Sequence, residues 1–131
     1  MPKRMKSEKD WEKILTKQEF NVMRKKSTEL PFTGKYNKNK KKGVYYCKGC
    51  GNKLFSSDAK YDSGSGWPSF WKPAANENIE LKPDVSLFTQ STEVLCKKCH
   101  GHLGHVFDDG PKPTGKRYCI NSVALKFKEK K

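Results

Sequence analysis

The chain has 131 residues, 34% of them hydrophobic, and carries 28 Lys and Arg against 14 Asp and Glu, a net charge of +14. That length suits one small domain with a modest core, and three Trp, five Tyr and seven Phe exclude a disordered chain despite the charge. No run approaches the ~20 apolar residues of a membrane span, and the basic start Met1 to Lys6 has no apolar run behind it, so a monomer in the reducing cytoplasm is expected.

In chain order, Ser7 is placed to cap a first helix carrying Trp11, Ile14 and Leu15 at helical spacing. Thr16-Lys17-Gln18-Glu19 spells a capping box opening a second short helix with Phe20 and Met23 on its apolar side. Pro31 ends this helical region and Thr33-Gly34 opens a lysine-rich loop, Lys35 to Lys42. Residues 1–42 hold 14 of the 28 basic residues against five acids. Only Arg4, Arg24 and Arg117 are arginines, and lysine is a hydrated point charge rather than a bidentate reader of phosphates or bases. The charge therefore reads as solubility, with no specific nucleic-acid partner expected.

From Gly43 the texture changes to short apolar runs between Gly, Pro, Asn and Asp. Val44-Tyr45-Tyr46, Leu54-Phe55, Val85 to Phe88, Val94-Leu95, Val106-Phe107 and Tyr118 to Phe127 are strand candidates. The expected fold is mainly β within the α+β class: a helical lead-in over 1–42 docked on an antiparallel β body over 43–131, in one domain spanning 1–131.

Five cysteines in a reducing compartment read as metal ligands or catalysts before disulfides. Cys47-Lys48-Gly49-Cys50 and Cys96-Lys97-Lys98-Cys99 each follow a strand-like pair and precede or adjoin a glycine, Gly51 and Gly101. Two such knuckles complete a tetrahedral four-thiolate site, which suits one structural zinc ion. The 45 residues between Cys50 and Cys96 exceed a compact zinc finger, so the metal joins distant parts of the domain. Two other readings fail. Cys96 to His100 matches a haem-attachment pattern, which leaves the second pair unexplained. A thioredoxin-like pair at Cys47 lacks the helix that should follow it.

Cys119 is left over. Strand alternation through residues 117 to 127 puts Arg117, Cys119, Asn121, Val123, Leu125 and Phe127 on one face, and the apolar members mark it as inner. Arg117 favours a thiolate, the attacking form, and Asn121 offers donors to a bound oxygen. The competing reading is a plain core cysteine, against which stands the inward Arg and Asn. His102 and His105 read as alternative metal ligands, structural histidines or an acid/base pair. Trp67, between Gly66 and Pro68, belongs to a loop, where an aromatic lines a pocket more readily than a core.

Together these segments resemble the type B methionine-R-sulfoxide reductase family. The matching residues are Cys47, Cys50, Gly66 to Phe70, Cys96, Cys99, His102 to Phe107, Asp109 to Pro111 and Arg117 to Ser122, with Glu29 and Pro31 to Gly34 in the leader. The resemblance implies a pair of antiparallel sheets closing into a barrel-like body, and Cys119 attacking a sulfoxide sulfur to become a sulfenic acid. His102, His105 and Asn121 then surround the oxygen and supply the proton, while Trp67 and Phe107 hold the methyl group. Many members carry a resolving cysteine between the two glycines where this chain has Ser65. Reduction must then come from thioredoxin or another thiol, and the partners are oxidised proteins or peptides. The alternative is a zinc-ribbon module contacting nucleic acid, or a zinc-stabilised interaction domain without activity.

Overall fold

The computed structural model describes residues 8–84 and 91–130. Two helices lead, α1 (Glu8–Ile14) and α2 (Lys17–Lys25). Thr16 caps α2 reciprocally with Glu19: its side chain accepts from the Glu19 amide at 3.2 Å and its own amide donates to Glu19 Oε1 at 2.9 Å. Each bond satisfies an amide the helix itself cannot, and removing such a cap costs about 1 kcal/mol. α2 buries Phe20, Val22 and Met23, and Trp11 of α1 is buried with them. The expected Ser7 cap lies outside the described residues.

Among the described residues nine strands follow, all paired antiparallel. β1 (Gly43–Cys47), β2 (Lys53–Ser56) and β9 (Leu125–Glu129) form a sheet in the order β2-β1-β9. β3 (Lys60–Tyr61), β4 (Ser69–Phe70), β5 (Ile79–Asp84), β6 (Ser91–Cys96), β7 (His102–Phe107) and β8 (Arg117–Ile120) form the other, in the order β3-β4-β8-β7-β6-β5. Between them lie Tyr45, Leu54, Phe55, Phe70, Val94, Leu103 and Ile120, all fully buried. Phe55 stacks on Phe70 with centroids 4.4 Å apart, and Tyr45 meets Phe70 edge-on at 5.2 Å. These aromatic pairs contribute beyond simple area burial.

The strand expected over Tyr118 to Phe127 is not one strand. β8 stops at Ile120, a 3-10 turn spans Ser122–Ala124, and β9 joins the other sheet. The break comes after Asn121, whose amide still donates to Leu103 O at 2.9 Å, in line with the β7–β8 register. β5 is a strand whose residues Lys82, Pro83 and Asp84 hid it from an apolar-run search; Pro83 is tolerated because β5 is the sheet edge. The expected strand at Val85 to Phe88 lies outside the described residues. Among the described residues, no helix is long and apolar enough to cross a membrane.

Candidate active site

The two knuckles meet. The sulfurs of Cys47, Cys50, Cys96 and Cys99 all lie within 4.8 Å of one another, with Cys47 to Cys99 at 3.6 Å and Cys50 to Cys96 at 3.4 Å. A tetrahedron with metal–sulfur bonds of about 2.3 Å has edges of roughly 3.8 Å, so the four thiols can bind a metal ion. Asn52 donates to Cys96 Sγ at 3.6 Å, and Arg24 anchors the second knuckle through Cys99 O at 2.9 Å. The glycine expectation holds for one knuckle only. Gly51 takes the left-handed conformation (φ 82°), but in the second knuckle His100 does so (φ 59°). His100 Nδ1 is paired with Glu80 Oε1 at 3.0 Å, which offsets that cost. Gly101 is needed for space instead: a Cβ there would lie 2.9 Å from Met23 Cε and 3.3 Å from Cys99 Sγ.

Cys119 lies on β8, in register with Ser69 of β4 on one side and His105 of β7 on the other. It faces away from the core. Tyr118 and Ile120 are the buried residues of β8, while Arg117 and Cys119 are half-buried. The apolar residues at 123, 125 and 127 do not mark the face of Cys119, since the chain changes sheet between them. Cys119 instead opens on a cavity of about 290 Å³ lined by Thr28, Ser65, Trp67, His105, Phe107, Arg117 and Asn121 among others.

Two aromatics wall this cavity. Trp67 is fixed by its indole N–H, which donates to Glu29 O at 3.0 Å. Phe107 carries the Arg117 guanidinium 4.5 Å above its ring centroid. Arg117 is also gripped by Asp109 through two hydrogen bonds of 2.9 and 3.1 Å. Burial pushes the Cys119 thiol up, against the hydrogen bond of Ser65 and the charge of Arg117, which favour the thiolate.

His102 and His105 come together, ring centroids 5.4 Å apart. A register shift between β6 and β7 pairs Leu95 with His102 but Val94 with Gly104, an extra residue that turns His102 toward the side of Glu93 and His105. His102 is buried and its Nδ1 lies 2.7 Å from Glu93, whose other oxygen meets Lys26 at 3.4 Å. A carboxylate only accepts, so Nδ1 holds the proton. Nε2 is left as a buried lone pair with no hydrogen-bond partner. Burial holds the His102 pKa below its ordinary value. Asn121 is buried, and its amide group is partly engaged: Oδ1 accepts from the Glu29 amide at 3.0 Å and Nδ2 donates to Leu103 O at 3.0 Å.

Several contacts of the site were not foreseen from the sequence, which marked Ser65 only for the cysteine it replaces and Glu29 only as part of the leader. Ser65 Oγ is 3.6 Å from Cys119 Sγ and 2.8 Å from Ser63 Oγ, which is 2.7 Å from Ser69 Oγ. This hydroxyl chain ends on Trp67 O at 3.2 Å. Glu29 ties the leader to the site through Trp67, Asn121 and the Val123 amide (3.1 Å to Oε1). Glu93 was one acid among fourteen; only a strand pairing distinguishes it.

A SelR domain family model matches residues 15–129. The chain is 56% identical to the peptide methionine sulfoxide reductase MsrB of Methanosarcina barkeri, over 94% of this chain and 87% of that one. It is 55% identical to the protein of the same name in Leptospira interrogans, over 95% of each. Against the mitochondrial methionine-R-sulfoxide reductase B2 of Danio rerio it is 52% identical, over 91% of this chain and 70% of that one.

Proposed function

The chain belongs to the SelR-domain family of methionine sulfoxide reductases, and we propose that it reduces methionine R-sulfoxide in peptides and proteins, with Cys119 as nucleophile. The observation that carries this reading is the cavity itself: a half-buried thiol beside two aromatics, an arginine and a histidine. Trp67 and Phe107 suit the methyl group and thioether carbons, whereas the polar rim suits the oxygen.

The thiolate of Cys119 attacks the sulfoxide sulfur, forming a sulfur–sulfur bond as the oxygen gains a proton. The protonated oxygen then passes from the methionine sulfur to the Cys119 sulfur, so that the sulfur–oxygen bond of the substrate and the new sulfur–sulfur bond both break. Methionine leaves, reduced by two electrons, and Cys119 is oxidised by two to the sulfenic acid. His105 on the cavity wall supplies the proton at the oxygen. His102, neutral and pinned by Glu93, does not line the cavity itself and acts through His105, 5.4 Å away between ring centroids, and Asn121 positions the oxygen with Arg117. Two equivalents of thiol, from thioredoxin or a small thiol, return Cys119 to the thiol with release of water and a disulfide.

The four-cysteine cluster takes zinc in this reading, as a structural ion apart from the reacting atoms. The protein acts as a monomeric single domain in a reducing compartment such as the cytoplasm. The test is turnover of separated methionine sulfoxide epimers with dithiothreitol. Reduction confined to the R epimer and abolished in Cys119→Ser is expected; equal rates on both epimers, or activity surviving in the variant, overturns the reading.

A further inference from the structure

Behind the wall of the thiol cavity lies a second and larger one, of about 730 Å³. Four of its lining residues are lysines, Lys38, Lys40, Lys41 and Lys60, against one acid, Asp62. Gly64 and Gly66 line it while Ser65 and Trp67 line the thiol cavity. One bend of the chain, with Gly64 at φ 74° and Gly66 at φ 97°, therefore separates the two.

We propose that this cavity is a subsite for acidic residues flanking the oxidised methionine of a polypeptide substrate; the assignment rests on the reductase reading above. The lysine loop is built in place. Its backbone is held by Asn37 N to Gly34 O at 3.2 Å and Asn39 N to Tyr36 O at 3.1 Å, and the Asn39 side chain donates to Tyr45 OH at 2.8 Å. Lys60 is half-buried, its ammonium donating to Asn37 O at 3.0 Å. Among the described residues, Lys38, Lys40 and Lys60 have no carboxylate partner within salt-bridge distance, and Lys41 reaches Glu129 only at 4.0 Å. A carboxylate entering the cavity meets a cluster of like charges with little to neutralise it.

Two further features point to an occupant. Phe32 lines the cavity 66% exposed, in a left-handed conformation (φ 66°) that a bulky aromatic rarely adopts. Its amide holds it there by donating to Gly66 O at 2.7 Å. Tyr61 also lines the cavity, and its buried hydroxyl has no hydrogen-bond partner. An extended peptide advances about 3.3 Å per residue, so a side chain a few positions from the sulfoxide is the occupant proposed. Lysines meet its carboxylate as compact point charges, with no arginine fork in the lining.

The test uses the full chain, dithiothreitol and short peptides carrying one methionine R-sulfoxide, flanked on either side by Asp/Glu, Asn/Gln or Lys. At low salt kcat/KM should be roughly threefold to tenfold higher for an acidic peptide than for its neutral counterpart, through KM, and the gap should close near about 0.3 M salt. Lys38→Gln with Lys40→Gln, both exposed positions, should erase that preference and leave turnover of free methionine sulfoxide unchanged. Equal kcat/KM for acidic and neutral peptides at low salt overturns the subsite while the reductase reading stands. No turnover of any peptide removes both. A single-stranded oligonucleotide held by the same lysines more tightly than the acidic peptide assigns the cavity to nucleic acid, and also overturns the proposal.

Discussion

Gly104 sits where β7 passes beside the Cys119 backbone, and Gly104→Ala should disable the proposed site by geometry alone. A Cβ at this position would lie 2.9 Å from Ile120 Cα and 3.0 Å from the Cys119 carbonyl carbon, and closer still to the Cys119 carbonyl oxygen. Carbon atoms rest at about 3.5–4.0 Å, so the two strands must part by on the order of 1 Å. None of these neighbours is a flexible side chain that can step aside; all are backbone of β8. The shift falls on the residue that carries the thiol, while Ser65 and Trp67 stay on another segment. Misplacement of a reacting group by about 1 Å costs on the order of 100-fold in rate, and the overpacking costs roughly 1–3 kcal/mol of stability. Gly115→Ala is the control: its site has open space and only the positive φ of 72° to strain, worth about 1 kcal/mol. Urea unfolding gives the stability of both variants, and kcat/KM on methionine R-sulfoxide gives the activity. A Gly104→Ala protein that is folded and within about threefold of wild-type activity would show that the register of β7 and β8 does not set the position of Cys119.

After one turnover without reductant, Cys119 should persist as a sulfenic acid that dimedone traps; a disulfide to Cys47, Cys50, Cys96 or Cys99 in the mass spectrum would contradict the proposed route. Ser65→Cys should instead give an intramolecular disulfide, since Ser65 Oγ already lies 3.6 Å from Cys119 Sγ. Purified protein should hold close to one zinc per chain, and Cys99→Ser should lower stability before it lowers the activity of the remaining folded fraction, because metal binding and folding are linked; a cooperative, stable metal-free protein argues against this. Burial raises the Glu29 carboxyl above its ordinary value, so the folded state favours the protonated form. That contribution is present at pH below 4.5, the ordinary value, and is lost as pH rises through the raised one. Glu29→Gln should remove this pH dependence, and parallel stability curves for the two proteins refute it. The Cys119 thiol, raised by burial and drawn back by Ser65 and Arg117, should react with iodoacetamide along a pH curve whose midpoint lies above the ordinary thiol range. Arg117→Ala should move that midpoint higher; an unmoved curve means that the guanidinium does not stabilise the thiolate.

What was legible in the sequence was whatever the chain writes locally. The capping box at Thr16 to Glu19 needs four consecutive residues, and so does each CxxC pair; the box formed and the four sulfurs met as read, although the left-handed residue of the second knuckle is His100 and not a glycine. The alternation argument for Cys119 placed it beside Arg117 on a shared face, which is right for β8, yet it inferred the direction of that face from residues past the sheet change. Period-two reasoning holds only while one strand continues. Asn121 and Ser122 were the local warning, since two consecutive polar residues inside an apolar run require partners. Those partners, Leu103 O and the backbone of residues 29 and 36, lie on other segments of the chain. The same holds for Glu29 and Glu93. Each is buried because a distant amide or imidazole meets it, and a carboxylate with a remote partner looks, in a sequence, like any surface acid. The lysine loop is the converse case. Its composition reads as solvated coil, but Asn37 and Asn39 convert it into an ordered rim, so charge that signals solubility by count becomes, by position, the wall of a cavity one bend of the chain away from the thiol.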